Sequence, residues 1–290
     1  MHHGYYLLKD SMIHYSIGGG GSRLLVCFHG YGESAESFAF LEGALGKDYT
    51  LLAIDFPFHG GTDWKDGLYF DPRDLVVMLE KITGDAANQP PDGDPVTRQP
   101  GGDAANQPPG QWTLLGYSMG GRIALHLLHL IPEKIEKLVL LAPDGLTMNP
   151  WYWLATQTKS GRAFFRFTMA HPHWLFGFLR AANKFKWVNP GIYKFTHRYI
   201  DDEKVRSDLY ARWTTMRGFR PDLRQLRNTI RKRNIPVHLF YGRYDRIIRA
   251  KRGERFRKGI EVQCHLQLLP TGHQLLQPEH LNMIVAAITS

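Results

Sequence analysis

Five stretches of this chain are largely apolar, Leu24–Phe28, Thr50–Ile54, Trp112–Leu115, Lys137–Ala142 and Pro236–Gly242, and Val262–Leu269, interrupted by Gln263, His265 and Gln267, also reads as a strand. Continuous apolar runs of this length are what strands buried on both faces of a parallel sheet require. Two short stretches, Tyr5–Leu8 and Met12–Ile17, flank the turn Lys9-Asp10-Ser11 and read as a hairpin. Between the runs the apolar period changes to that of a helix. Residues 122–131 are apolar at Ile123, Ala124, Leu127, Leu128 and Ile131, and 71–82 at Leu75, Met78, Leu79 and Ile82, with Pro72 in the first turn. Helices are also expected at 35–45 and 278–289.

The alternation is interrupted once. Residues 146–233 carry no strand-like run, and the spacing predicts helices over 150–169, 172–185, 190–200, 202–217 and 222–233. Strands resume afterwards. The pattern predicts an α/β fold: a doubly wound, mostly parallel eight-stranded sheet with helices on both faces and an inserted α-helical cap. The core is expected from 1–145 and 234–290, and the cap from 146–233.

A second interruption has no periodicity. Gly84-Asp85-Ala86-Ala87-Asn88-Gln89-Pro90-Pro91 recurs unchanged as residues 102–109. Its composition offers almost nothing to bury, so 84–110 is expected to be a disordered surface insertion.

Composition narrows the class. Hydrophobic residues make up 43% of the 290, enough for a large core. No apolar run reaches the length of a membrane span, and no basic start followed by an apolar stretch suggests a signal peptide. With two cysteines, Cys27 and Cys264, both in predicted strands, the expected compartment is a reducing cytoplasm without a disulfide. The net charge of +9 is uneven: 146–233 holds 18 Lys/Arg against 5 Asp/Glu, and the remainder 18 against 22. The basic block is expected to be a solvated face that allows weak contact with an anionic membrane surface. No nucleic-acid motif accompanies it, so no nucleic-acid partner is expected.

Chemistry concentrates at one point. Gly116-Tyr117-Ser118-Met119-Gly120 has the form G-x-S-x-G, between a predicted strand and a predicted helix. So sharp a turn brings residues 116 and 120 together and pushes the serine out over a helix N-terminus, whose free N–H groups suit a developing oxyanion. A serine nucleophile needs a base and an orienting acid. His273, after the last strand in Pro270-Thr271-Gly272-His273, is the base candidate. Asp245, after the preceding strand in Gly242-Arg243-Tyr244-Asp245, is the acid candidate, and the chain order Ser, Asp, His is the one this elbow demands. Asp144, after the strand that follows the elbow helix, is the rival acid, although Pro143-Asp144-Gly145 also reads as a simple turn. His126/His129 and His171/His173 lack a third ligand, so no metal site is expected, and no cofactor motif is present.

The His29-Gly30 loop, Asp55–Gly60, the elbow, Gly242–Asp245 and Gly272-His273 together resemble the α/β-hydrolase fold family, in its cap-bearing form. The resemblance implies an oxyanion hole from the backbone N–H groups of Tyr31 and Met119. It gives His29 and His59 a role in loop structure. Phe58 departs from it, standing where the family usually has glycine. Relatives that open epoxides or remove halides carry aspartate at the position of Ser118, so the serine implies acyl transfer. The expected substrate is an ester or thioester of a hydrophobic acyl group, because the cap holds 17 of the chain's 36 aromatic residues. Trp151 and Trp153 are candidate substrate contacts, although such side chains are more often packing. Two alternatives follow from the same resemblance. One is a lyase similar to the menaquinone-pathway synthase, with Arg122 binding a substrate carboxylate. The other is a receptor-like or signalling member that turns over slowly.

Overall fold

A computed structural model describes residues 1–88, 111–177 and 201–290 of the chain. These residues divide into two compact units. The first comprises Met1–Lys65, Asp71–Thr147 and Phe219–Ser290, and the second Asp66–Phe70 and Met148–Gly218.

The first unit is built on one eight-stranded sheet. Its strands are β1 (His2–Leu8), β2 (Ser11–Gly18), β3 (Arg23–Phe28), β4 (Tyr49–Ile54), β5 (Trp112–Tyr117), β6 (Ile135–Leu141), β7 (Val237–Gly242) and β8 (Cys264–Leu269). Their spatial order is β1-β2-β4-β3-β5-β6-β7-β8. The hairpin β1–β2 and the pair β2–β4 are antiparallel, and every later pairing is parallel. The apolar runs become strands because both faces are covered. Leu25 and Cys27 point to one face and Val26 and Phe28 to the other, and all four are fully buried.

Side chains on the first of these faces pack with Ala35, Phe38 and Leu41 and with Ile284, Ala287 and Ile288 of the closing helix α9 (Leu281–Thr289). The expected helix over 35–45 is instead a 3₁₀ helix, Ala35–Leu41, followed by one turn of α-helix, α1 (Glu42–Leu45). The other face carries α2 (Pro72–Asn88), α3 (Met119–Leu130) and α7 (Leu223–Arg233), with α2 and α7 packed on α3. Helix α8 (Lys251–Arg257), which no apolar period announces, lies in the chain between β7 and β8, with Gly253 against the Tyr241 ring.

Two expectations change. Helix α2 runs on to Asn88, so the first five residues of the repeated octapeptide extend a helix rather than begin an insertion. The rest of 84–110, from residue 89, lies outside the described residues. The predicted helix over 222–233 forms as α7, started by Asp222, whose Oδ1 accepts from the Arg224 and Gln225 amides. Leu226 and Ile230 bury it in the first unit, so the second unit ends at Gly218, short of the expected 233.

The second unit contains α4 (Pro150–Gln157), α5 (Lys159–Ala170), a helical stretch at 173–177 and α6 (Glu203–Thr215). The expected single helix over 150–169 breaks at Thr158, whose extended backbone and side-chain bond from the Gly161 amide (2.9 Å) start α5 afresh. The expected helix over 190–200 lies outside the described residues. Tyr152 stacks edge-on to Trp213 at 5.2 Å, and Phe165 meets Tyr210 and Trp213 at 5.3 and 5.8 Å. Tyr152 and Thr156, one turn apart, form the buried face of α4. Trp151 and Trp153 flank Tyr152 in sequence and so fall away from that face, 77% and 44% exposed. Neither belongs to a packed core.

Candidate active site

Because β3 to β8 run parallel, the segments after them leave the sheet at one edge. They carry Tyr31, Asp55, Ser118, Asp144, Asp245 and His273. Ligand sites of open α/β sheets lie at this edge.

Ser118 sits between β5 and α3 with φ 50° and ψ −111°, a conformation that costs an L-residue energy and is held by its surroundings. Its N–H donates to the Leu141 carbonyl (2.9 Å), and its carbonyl accepts from Gly121 (3.0 Å) and Asp144 (2.8 Å). The elbow glycines are required for two different reasons. A Cβ on Gly116 would stand 2.7 Å from the Gly120 carbonyl oxygen, the close approach across the turn that the sequence predicts. A Cβ on Gly120 would instead stand 1.8 Å from the carbonyl oxygen of Phe28, so this glycine admits the end of β3 against the start of α3. Gly121 has its own reason, a Cβ there falling 2.5 Å from Pro143.

The three candidate residues come together. His273 Nε2 lies 3.0 Å from Ser118 Oγ, and His273 Nδ1 lies 2.7 Å from Asp245 Oδ2. The other carboxylate oxygen, Asp245 Oδ1, accepts from the amides of Ile247 (2.7 Å) and Ile248 (2.9 Å). Burial pushes the Asp245 carboxyl up. The hydrogen bond from His273, the Ile248 amide, the His273 charge and the Ile247 amide outweigh it, leaving the group below its ordinary value. An ionised Asp245 fixes the proton on His273 Nδ1 and leaves Nε2 to accept from Ser118.

The rival acid is placed elsewhere. Asp144 lies 3.7 Å from the guanidinium of Arg122, and the Nδ1 side of His273 is taken by Asp245. Arg122 is itself buried, with its stem against Gly145. Met119 is the first residue of α3, where a backbone N–H has no partner within the helix. Tyr31 follows the Gly30 turn after β3, its ring edge-on to His59 at 5.9 Å. Among the described residues no three His, Cys, Asp or Glu gather into a metal-ligating group, and no helix is long and apolar enough to cross a membrane.

The supporting loops have structural partners. His29 Nδ1 donates to the Gly30 carbonyl (2.7 Å), and its Nε2 accepts from the Phe56 amide (3.2 Å). Asp55 is buried and accepts from the Ala35 amide (2.6 Å), the Gly61 amide (2.8 Å) and His14 (2.7 Å). Phe58 adopts φ 64°, so the residue that departs from the family pattern keeps a left-handed backbone of the kind glycine adopts without strain. Cys27 and Cys264 are buried free thiols.

Two residues near His273 went unnoticed in the sequence. The Tyr117 hydroxyl donates to Gln274 Oε1 (2.9 Å), with the His273 carbonyl a second acceptor for the same proton at 3.3 Å, and its ring lies 5.5 Å from the imidazole. Burial raises its pKa, and the charges of Glu33 and Asp245 add to the shift. Glu33 is also raised by burial, against the opposing pull of the Gly30 amide and of His273. Tyr117 occupies the variable position before the nucleophile, so the motif itself carried a signal. Glu33 had none, since its proximity arises only when β3 and β8 share a sheet.

Known proteins add to this geometry. The sequence model of the Alpha/beta hydrolase family matches residues 25–286. The chain is 23% identical over 261 residues to an uncharacterized hydrolase, YugF, of Bacillus subtilis, covering 89% of this chain and 85% of that one. It is similar in fold to an esterase from Exiguobacterium antarcticum, with TM-score 0.59, 18% identity and 99% of each chain covered. It is also similar in fold to the thioesterase domain from the curacin biosynthetic pathway, with TM-score 0.57 and 14% identity, over 100% of this chain and 99% of that one.

Proposed function

The chain belongs to the alpha/beta hydrolase family, and on that footing we propose that it is a serine hydrolase that cleaves an ester or thioester of a hydrophobic acyl group. The observation that carries the reading is the continuous relay Ser118 Oγ–His273 Nε2 (3.0 Å) and His273 Nδ1–Asp245 Oδ2 (2.7 Å).

In this mechanism Ser118 Oγ attacks the substrate carbonyl while His273 Nε2 takes its proton. Asp245 keeps the imidazole oriented and stabilises the imidazolium that forms. The negative charge on the tetrahedral oxygen is met by the backbone N–H groups of Met119 and Tyr31, the former reinforced by the N-terminal end of α3. Collapse breaks the bond to the alcohol or thiol, which leaves with the proton from Nε2. Water then attacks the acyl-enzyme with His273 again as base, and a carboxylic acid is released. The fold likenesses to an esterase and a thioesterase support an acyl-transfer reading, as does a serine rather than an aspartate at position 118.

The acyl group is read as hydrophobic from the aromatic density of 146–233. The test is kcat/KM across p-nitrophenyl esters of increasing chain length. Each added CH₂ is expected to raise it until the pocket is filled, by up to about 0.8 kcal/mol of transition-state binding. A steady fall from acetate upward contradicts the hydrophobic acyl group.

A further inference from the structure

The second unit holds a cavity of about 380 Å³ whose wall carries Lys159, Arg162, Arg166 and Arg217 beside Tyr69 and Tyr210. Lys159, Arg162 and Arg166 lie at i, i+3 and i+7 of α5 and so share one face of that helix. Arg217 approaches from the 3₁₀ turn Met216–Gly218.

The two inner guanidiniums are held in place by the backbone. Arg217 Nη1 donates to the carbonyls of Leu68 and Thr214, and its guanidinium lies 4.7 Å above the Tyr69 ring. Arg162 Nη1 donates to the Thr156 carbonyl at 3.0 Å. A guanidinium has five N–H donors in a fixed fork, so each retains several for a ligand.

Among the described residues their charge is unanswered: none of these four cations forms an ion pair, while the acids of α6 are engaged by other bases, Asp208 by Lys204 and Arg212 and Glu203 by Arg206. Burial, and then the charge of Arg162, push the Arg217 pKa below its ordinary value. Like charges gathered on a concave wall repel one another and concentrate anions from solution. A cationic surface whose only task is solubility has no need to converge on a cavity.

We propose that this cavity binds a small organic phosphate, with its phosphoryl group held by Arg162, Arg166, Arg217 and Lys159 and its organic part against Tyr69 and Tyr210. A phosphate monoester matches the donors better than a carboxylate, because it brings about −1.5 to −2 charge and three strong acceptor oxygens. The cavity is also larger than a phosphoryl group alone requires.

The test is titration calorimetry of the full chain at low ionic strength with phenyl phosphate, and with phenol as the uncharged counterpart. Phenyl phosphate is expected to bind at one site and phenol not to bind. Lys159→Gln/Arg166→Gln is expected to weaken phenyl phosphate on the order of tenfold or more. Among the described residues neither of these side chains has a hydrogen bond, so the fold is expected to survive, with circular dichroism and the single variant Arg166→Gln as checks. The control Lys232→Gln/Arg233→Gln removes the same charge from exposed positions of α7 and is expected to change affinity by no more than about twofold. Absence of binding, or equal weakening by the two double variants, overturns the site. A phosphate on the ester substrate and a phosphate on a separate effector share this chemistry. If saturating phenyl phosphate alters kcat/KM for an uncharged ester, the occupant is an effector. If it competes only with phosphate-bearing esters, the occupant is part of the substrate. Binding is read without turnover, so its failure is separable from failure of the hydrolase reading.

Discussion

Gly242 and Gly272 are in backbone contact: a Cβ on Gly242 would stand 1.8 Å from the Gly272 carbonyl oxygen and 2.6 Å from that of Thr271. The end of β7 is thereby pressed onto the turn after β8. Two further bonds tie the same segments, Arg243 N–H to the Leu269 carbonyl (2.7 Å) and Tyr244 N–H to the Thr271 carbonyl (3.0 Å). Asp245 and His273 stand on these two turns, so their separation is set by backbone packing and not by the side chains alone.

Gly242→Ala is therefore expected to force the turns apart. A methyl group driven into backbone costs about 1–3 kcal/mol of stability. Activity is expected to fall further than stability does, mainly through kcat, because the Asp245–His273 bond lengthens. Melting temperature and kcat/KM measured together check this. Normal kinetics with a normal melting temperature would show that the turns have slack. By contrast, Gly272 has open space where a Cβ would go, so Gly272→Ala is expected to be milder.

Asp245→Asn is expected to lower kcat on the order of 10³-fold or more, because the amide stabilises the wrong imidazole tautomer. Asp144→Asn removes a contact at 3.7 Å from the buried Arg122 and leaves the bond to His273 Nδ1 intact, so it is expected to cost kcat far less. Steady-state kinetics of the two variants decide between the acids. A larger loss in Asp144→Asn reverses the assignment.

The lowered pKa of Asp245 also predicts a pH dependence of stability. The group binds a proton more readily in the unfolded chain than in the folded one. Its contribution is complete above the unfolded carboxylate value and is lost as pH falls through the lower folded value. Denaturant unfolding at neutral pH and at pH near 3 is expected to show a steeper acid loss in the wild type than in Asp245→Asn. Parallel losses in the two proteins contradict the shift.

The sheet was legible because parallel strands buried on both faces must be apolar throughout, as Leu24–Phe28 and Leu51–Ile54 are. The elbow was legible because its glycines answer steric demands that no other residue meets. Helix α8 was not legible: only Gly253 and Phe256 are buried in seven largely charged residues, too few to show a period. The break at Thr158 left a trace that apolar spacing cannot register, a capping threonine three residues before Gly161. A Cβ on Gly161 would stand 1.8 Å from the Leu154 carbonyl, which is why glycine is needed there. The exposure of Trp151 and Trp153 was not legible because composition counts aromatics without their direction, and the buried face of α4 belongs to Tyr152.

The central claim is that Ser118 is the nucleophile, and intact-protein mass spectrometry after exposure to a fluorophosphonate tests it most directly. Wild-type protein is expected to gain the mass of one phosphonyl group, with ester hydrolysis lost in step, and Ser118→Ala to gain none while keeping its circular dichroism spectrum. Labelling of Ser118→Ala at the wild-type rate would contradict the account.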